Sequence, residues 1–212
     1  MHVVITGVNR GIGRTLADNY RARGDKLTGT ARDGSAQVVL DVTDPSQHSD
    51  VATYLADQPV DLLICNAGVY LDKGQSINGY PADMWAQSFA INVTGVFLTV
   101  QALLPNLRAA RGKIAIISST MASHTRAPGG SYIYRASKAA ALSLGRNLAT
   151  DLRDDGIAVG IYHPGWVQTD MGGPEADITL DQAAEGLIER FDALSLETTG
   201  CFENWDGRPH AY

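Results

Sequence analysis

Cysteine is nearly missing from this chain of 212 residues: Cys65 and Cys201 are the whole complement. Each sits in an apolar, strand-like run. They read as buried thiols of a reduced, cytoplasmic protein and exclude a disulfide framework. Basic charge is also short. Lys and Arg number 17 against 23 Asp and Glu, a formal net charge of −6. That balance argues against a nucleic-acid partner and against a polybasic protein of membrane surfaces. Any anion site must be local, made from helix ends and a few arginines. Apolar runs fall short of the ~18 residues that span a bilayer, so no membrane partner is expected. The amino terminus runs straight into a strand-like segment, without the layout of a signal peptide. No metal site is expected.

What is present suits one soluble α/β domain covering residues 1–212. Apolar residues make up 44% and charged residues 19%, enough for a real core. The run Val3-Val4-Ile5 reads as a strand. Thr6-Gly-Val-Asn-Arg-Gly-Ile-Gly13 follows, then Ile12, Leu16 and Tyr20 at helical spacing. Strand, glycine turn and helix start in that order form a dinucleotide site, because backbone N–H groups can approach a pyrophosphate. Gly24 stands where the helix should end.

Lys26 to Ala31 reads as the second strand. Near its end an NAD site usually carries an acid bonded to the ribose 2′-hydroxyl. Thr30 stands there instead, with Arg32 two residues on and Arg10 inside the glycine turn. Two guanidiniums suit a 2′-phosphate, so NADP(H) is predicted over NAD(H). Asp33, directly after Arg32, points the other way and keeps both cofactors open. Gln37 to Leu40 is strand three. The link between these strands is too short for a crossover helix, so that helix is predicted to be missing. Asp44 and Pro45 mark the start of a helix to Ala56.

Val60 to Cys65 reads as a strand buried on both faces, ending in Asn66-Ala67-Gly68. Asn66 either bonds the loop or serves a ligand. One long helix is predicted from about Pro81 to Leu107. Asn92 lies on its apolar face with Trp85, Phe89 and Val96, so its amide needs partners, from the core or from the site. Gly112 to Ser119 is strand five, and only one of Ser118 and Ser119 can face a given side. Tyr134 and Lys138 are four apart, one turn of a helix that continues through Leu152. An ammonium beside a phenol favours the phenolate and is expected to lower the tyrosine pKa from about 10. Ala139 to Ala141 offer a small-residue surface for a second subunit. Ile157 to Tyr162 is strand six, Asp181 to Leu194 the last helix, and Thr199 to Phe202 an edge strand. His163 reads as a loop residue. Tyr70, Trp166 and Met171 are candidates for a pocket rim.

Taken in order, Thr6-Gly-x-x-x-Gly-Ile-Gly13, Asp41-Val42, Asn66-Ala-Gly68, Asn92, Ser119, Tyr134-x-x-x-Lys138 and Pro164-Gly165 resemble the classical short-chain dehydrogenase/reductase family over nearly the whole chain. The runs Gly129 to Ala140 and Pro164 to Gly173 are similar to its carbonyl-reductase branch, which contains sniffer and the C-factor signalling proteins. The resemblance implies a Rossmann-type, doubly wound parallel sheet of about seven strands in the order 3-2-1-4-5-6-7. It implies a catalytic set of Asn92, Ser119, Tyr134 and Lys138. Tyr134 would be the acid for carbonyl reduction, Ser119 would hold the substrate oxygen, and Lys138 would bind the nicotinamide ribose. Asn92 would support a water beside Lys138. The cofactor would rest on Gly7, Asn9, Arg10, Gly11, Ile12, Gly13, Arg32, Asp41, Val42, Asn66, Ala67, Gly68, Tyr134, Lys138, Pro164, Gly165, Val167 and Thr169. The implied activity is NADPH-dependent reduction of an aldehyde, ketone or quinone by a homodimer or homotetramer. An NADP(H)-binding signalling protein without turnover is the alternative. A sugar-nucleotide epimerase is a third reading, though little chain follows Pro164. Only Met171 to Ile178 stands where relatives have a substrate lid, which implies an open pocket or one completed by a partner chain.

Overall fold

Branched aliphatic residues with no exposed surface make the middle of the molecule. Val3, Val4 and Ile5 lie in β1 (His2–Thr6), and Leu63 and Ile64 in β4 (Leu62–Cys65). In the computed structural model, which describes residues 1–212, these strands are the centre of a seven-stranded parallel sheet. Its order is β3-β2-β1-β4-β5-β6-β7, as the resemblance implies. The other strands are β2 (Lys26–Ala31), β3 (Val38–Val39), β5 (Lys113–Ile117), β6 (Ala158–His163) and β7 (Phe202–Asn204).

Side chains alternate across each strand, so each strand feeds two cores. Val4, Leu63, Ile114 and Ile116 pack with Val51 and Leu55 of α2 (Pro45–Leu55) and with Val100, Leu103 and Leu107 of α4 (Gly95–Ala110). Leu148 of α5 (Tyr132–Asp151) joins the same side. Val3, Ile5, Leu62 and Ile64 pack on the other face with Leu16 and Tyr20 of α1 (Gly11–Ala22) and Leu187 and Phe191 of α6 (Leu180–Ala193). Helices on both faces are what a parallel sheet requires, since neither face can meet water.

No helix joins β2 to β3. The side-chain amide of Gln37 spans that short link, accepting from the Gly29 N–H at 2.8 Å and donating to the Leu27 carbonyl at 2.9 Å. Asp44 caps α2 as expected, its carboxylate accepting from the Ser46 N–H at 2.9 Å. Asp44→Ala is expected to cost about 1 kcal/mol of stability. Urea unfolding of the two proteins measures this directly.

Four expectations need correction. The single helix over 81–107 is α3 (Ala82–Phe89), a π turn at Ala90–Thr94, and α4. Together Ala82–Ala110 are long and apolar enough to cross a membrane by length and composition, contrary to the reading of the sequence. Yet Val96, Val100, Leu103 and Leu107 lie in the core, so this is a core helix of the domain. The edge strand begins at Phe202, not Thr199. Thr199 spends its hydroxyl on the Val159 N–H, and Gly200 turns the chain at φ +87° before the strand can start. In the alanine run only Ala139 and Ala140 reach the surface, because Ala141 is fully buried.

Candidate active site

β1 ends at Thr6, where the chain must turn sharply beneath α1. Gly7 has φ +74° and Gly11 φ +55°, in the region that favours glycine. Thr6 and Asn66 tie the ends of β1 and β4 together. The Thr6 hydroxyl accepts from the N–H groups of Asn66 and Ala67 at 3.0 and 3.1 Å. The Asn66 amide donates to the carbonyls of Thr6 and Gly7 at 2.9 and 3.1 Å. Asn66 therefore spends its donors on the loop. Arg10 precedes the first turn of α1, and no side chain caps that turn. Helix N-terminal amides left in this way favour an anion.

A cavity of about 900 Å³ opens at this crevice. Its lining includes Gly7, Asn9, Arg10, Gly11, Ile12, Gly13, Arg32, Asp41, Val42, Asn66, Ala67 and Gly68, with Tyr134, Lys138, Pro164 and Thr169 farther along. Four expected residues lie outside the lining. Gly165 and Val167 back onto the protein: a Cβ on Gly165 would meet Ile178 at 2.4 Å, and Val167 is bridged to Ile178. Asn92 and Ser119 are both buried and not among the lining residues, whereas Ser118 is one of them. Lining residues that spacing did not signal include Leu40, Val69, Ile91, Gln168, Asp170, Pro174 and Leu180. Of the rim candidates, Met171 lines the cavity, while Trp166 is half exposed and donates to the Gly172 carbonyl at 2.9 Å. The short 166–178 segment meets two exposed side chains, the Lys73 ammonium on the Met171 carbonyl at 3.2 Å and Arg10 on Asp170 at 3.0 Å.

At the far end, Asp33 is not among the lining residues and is bonded by Ser35 and by Asn9, itself a lining residue. Their hydrogen bonds keep its carboxyl down at about 2. Asp41 is likewise held below the usual range, first by Thr43 and also by the Arg32 charge. Arg32 makes no ion pair. Arg10 is paired with Asp170, but both side chains are more than 70% exposed. Such pairs are worth about 0–1 kcal/mol and exchange readily for a phosphate.

Tyr134 and Lys138 lie one turn apart on α5, both buried. The Lys138 Nζ is 5.8 Å from the Tyr134 ring centroid and donates to the Ile117 carbonyl at 2.9 Å. Burial lowers Lys138 to about 8. The phenol runs against expectation: burial raises it to about 12, while a hydrogen bond with Ser119 pulls in the opposite sense. The two serines separate by partner. Ser118 donates to the Lys138 carbonyl at 3.1 Å, and Ser119, which accepts from the Met121 N–H at 3.1 Å, is the one that acts on the phenol. The Asn92 amide is satisfied by protein, accepting from the Val69 N–H and donating to the Val69 carbonyl and the Ser137 hydroxyl, 2.9–3.0 Å. Its oxygen and the Lys138 ammonium flank Gly68, where a Cβ would meet them at 3.2 and 3.3 Å. His163 is the last residue of β6, not a loop residue; it is half-buried, and desolvation lowers it to about 4, a neutral ring beside Pro164.

A glycine turn at the sheet crevice and a buried phenol–ammonium pair beside it define an oxidoreductase of the dinucleotide-binding class. The chain belongs to the short-chain dehydrogenase family, whose model, described as short chain dehydrogenase, matches residues 1–178. The C-signal of Myxococcus xanthus is 42% identical over 159 residues, covering 74% of this chain and 95% of that protein. Two solved structures superpose along the whole chain. An NADPH bound carbonyl reductase from chicken fatty liver has a TM-score of 0.91 at 30% identity, covering 100% of this chain and 98% of that one. The carbonyl reductase Sniffer of D. melanogaster has 0.92 at 25%, covering 100% and 99%. These likenesses fall in the branch that the sequence resembles.

Proposed function

We propose that the protein reduces a carbonyl compound, an aldehyde, ketone or quinone, to its alcohol at the expense of NADPH. The observation that carries this reading is the phenol of Tyr134, buried at the cavity wall with the Lys138 ammonium 5.8 Å from its ring. A protonated phenol at that place can give its proton to a carbonyl oxygen as hydride arrives. The glycine turn fits the pyrophosphate, and Arg10 and Arg32 fit a 2′-phosphate. When bound, the nicotinamide supplies a hydride to the carbonyl carbon. Tyr134 gives its proton to the carbonyl oxygen, which Ser119 holds. Lys138, at about 8, keeps its charge at neutral pH and stabilises the phenolate that remains. Asn92 fixes the Val69 backbone and Ser137 around that ammonium. Free thiols at Cys65 and Cys201 suit a cytoplasmic, reducing setting. A homodimer or homotetramer remains part of the proposal.

NADPH oxidation across a panel of aldehydes, ketones and quinones tests the reading. Failure with every class would overturn it. The cofactor choice has its own test. NADPH should bind more tightly than NADH, and Arg32→Ala should narrow that gap about tenfold or more, since a charge-assisted bond contributes about 1.5–3 kcal/mol. Tighter binding of NADH by the parent protein would reverse the choice.

The 42% identity to the C-signal supports a second reading, an NADP(H)-binding signalling protein without turnover. A sensor has no need of Tyr134 beside Lys138. If Tyr134→Phe keeps the biological response while NADPH binding is required for it, the sensor reading gains.

A further inference from the structure

We propose that Asp72 is a positioning residue for Tyr134, reaching from the loop after β4 to cap the first turn of α5 with a buried charge. Asp72 has no exposed surface. One of its oxygens accepts from the Ile133 N–H at 2.9 Å, and both accept from the Tyr134 N–H at 3.2 and 3.3 Å. These are the second and third amides of α5, the pair that a residue at the helix start normally satisfies with its own side chain. The residue at that place, Ser131, does not do so. It is left-handed at φ +48° and makes no capping bond. Its hydroxyl is bonded to the Tyr70 hydroxyl instead. Tyr70 in turn stacks on Tyr134, with ring centroids 4.2 Å apart and planes 19° apart.

The segment 70–72 therefore grips the segment 131–134 at its backbone, its cap and its ring. Two carboxylate oxygens on adjacent amides fix both the height and the rotation of the first turn, and Tyr134 is in that turn. A neutral cap could satisfy the amides equally well. The charge adds something further. The groups that face the phenol are Lys138 from its own helix, the Ser119 hydroxyl from the end of β5, and Tyr70 and Asp72 from the loop. Tyr70 and Asp72 both push the phenol toward its protonated form. Asp72 thus aims the proton donor and helps it keep its proton.

The inference rests on Tyr134 being the acid, and its test is chosen to work without turnover. Full-length protein is labelled with fluorotyrosine, which titrates at lower pH than tyrosine. The Tyr134 signal in the fluorine NMR spectrum is assigned by its loss in Tyr134→Phe. Asp72→Asn keeps an acceptor for the helix and removes the charge. Its Tyr134 midpoint should fall, the direction expected when a neighbouring negative charge is removed. An unmoved midpoint overturns the inference, whether or not the protein is an enzyme. Asp72→Ala removes the cap as well. For carbonyl reduction it should lower kcat about tenfold or more and leave the NADPH Kd within about twofold. Unchanged kcat in a folded Asp72→Ala protein also overturns it. If that variant does not fold, Asp72→Asn alone carries the test.

Discussion

Tyr134→Phe is expected to remove turnover and leave the cofactor in place. The substitution deletes one oxygen. The ring keeps its stack on Tyr70 at 4.2 Å and its place near Lys138, so the wall of the cavity is unchanged. What disappears is the proton that a carbonyl oxygen must receive as hydride arrives. General acid catalysis contributes about 10²–10⁴-fold, and kcat should fall within that range. The folding cost is small, about 1 kcal/mol for a buried hydroxyl bond, part of which is recovered because phenylalanine needs no partner. NADPH affinity should change less than about threefold, because no bond from the phenol to the cofactor's phosphates is invoked. Single-turnover NADPH oxidation and a fluorescence titration of NADPH separate the two quantities. If turnover survives at more than a tenth of the parent rate, the proton comes from another group and the role given to Ser119 goes with it.

The frame of this molecule is written in local patterns, which is why much of it can be read from residues alone. β2 matches Lys26–Ala31 because a short apolar run between turn signals has few other options. The missing crossover helix follows from chain length, and the Asp44 cap from a single residue type. The site is less local. The expected lowering of Tyr134 used only the spacing to Lys138. The phenol's actual environment is set by burial, which spacing does not encode. The π turn at Ala90–Thr94 adds one residue to a helical repeat, and a periodicity of 3.6 does not resolve that. Asn92 sits in this turn, which is how its amide reaches Val69 and Ser137 at once. Asp72 is illegible for a different reason. Its partners are 61 and 62 residues away, and nothing about an aspartate in a polar loop announces them.

Gly13→Ala should be as damaging to cofactor binding as Tyr134→Phe is to chemistry, for steric reasons alone. A Cβ at Gly13 would stand 2.2 Å from the Gly7 carbonyl oxygen and 2.3 Å from the Asn66 amide nitrogen. Neither neighbour can step aside cheaply. The Gly7 carbonyl is backbone, in a turn fixed at φ +74°. The Asn66 amide holds the Thr6 and Gly7 carbonyls and so joins the ends of β1 and β4. Moving either opens the glycine turn from which α1 presents its free amides. Overpacking of this kind costs about 1–3 kcal/mol, a large share of a domain's stability. The same displacement moves the amides away from the pyrophosphate, and NADPH affinity should fall about tenfold or more. Arg14→Ala, on the exposed side of the same helix, is the control and should bind as the parent does. Isothermal titration with NADPH, beside thermal melts of all three proteins, gives both numbers. A Gly13→Ala protein that melts and binds like its parent would mean that the turn has room the geometry does not show, and that the pyrophosphate rests elsewhere.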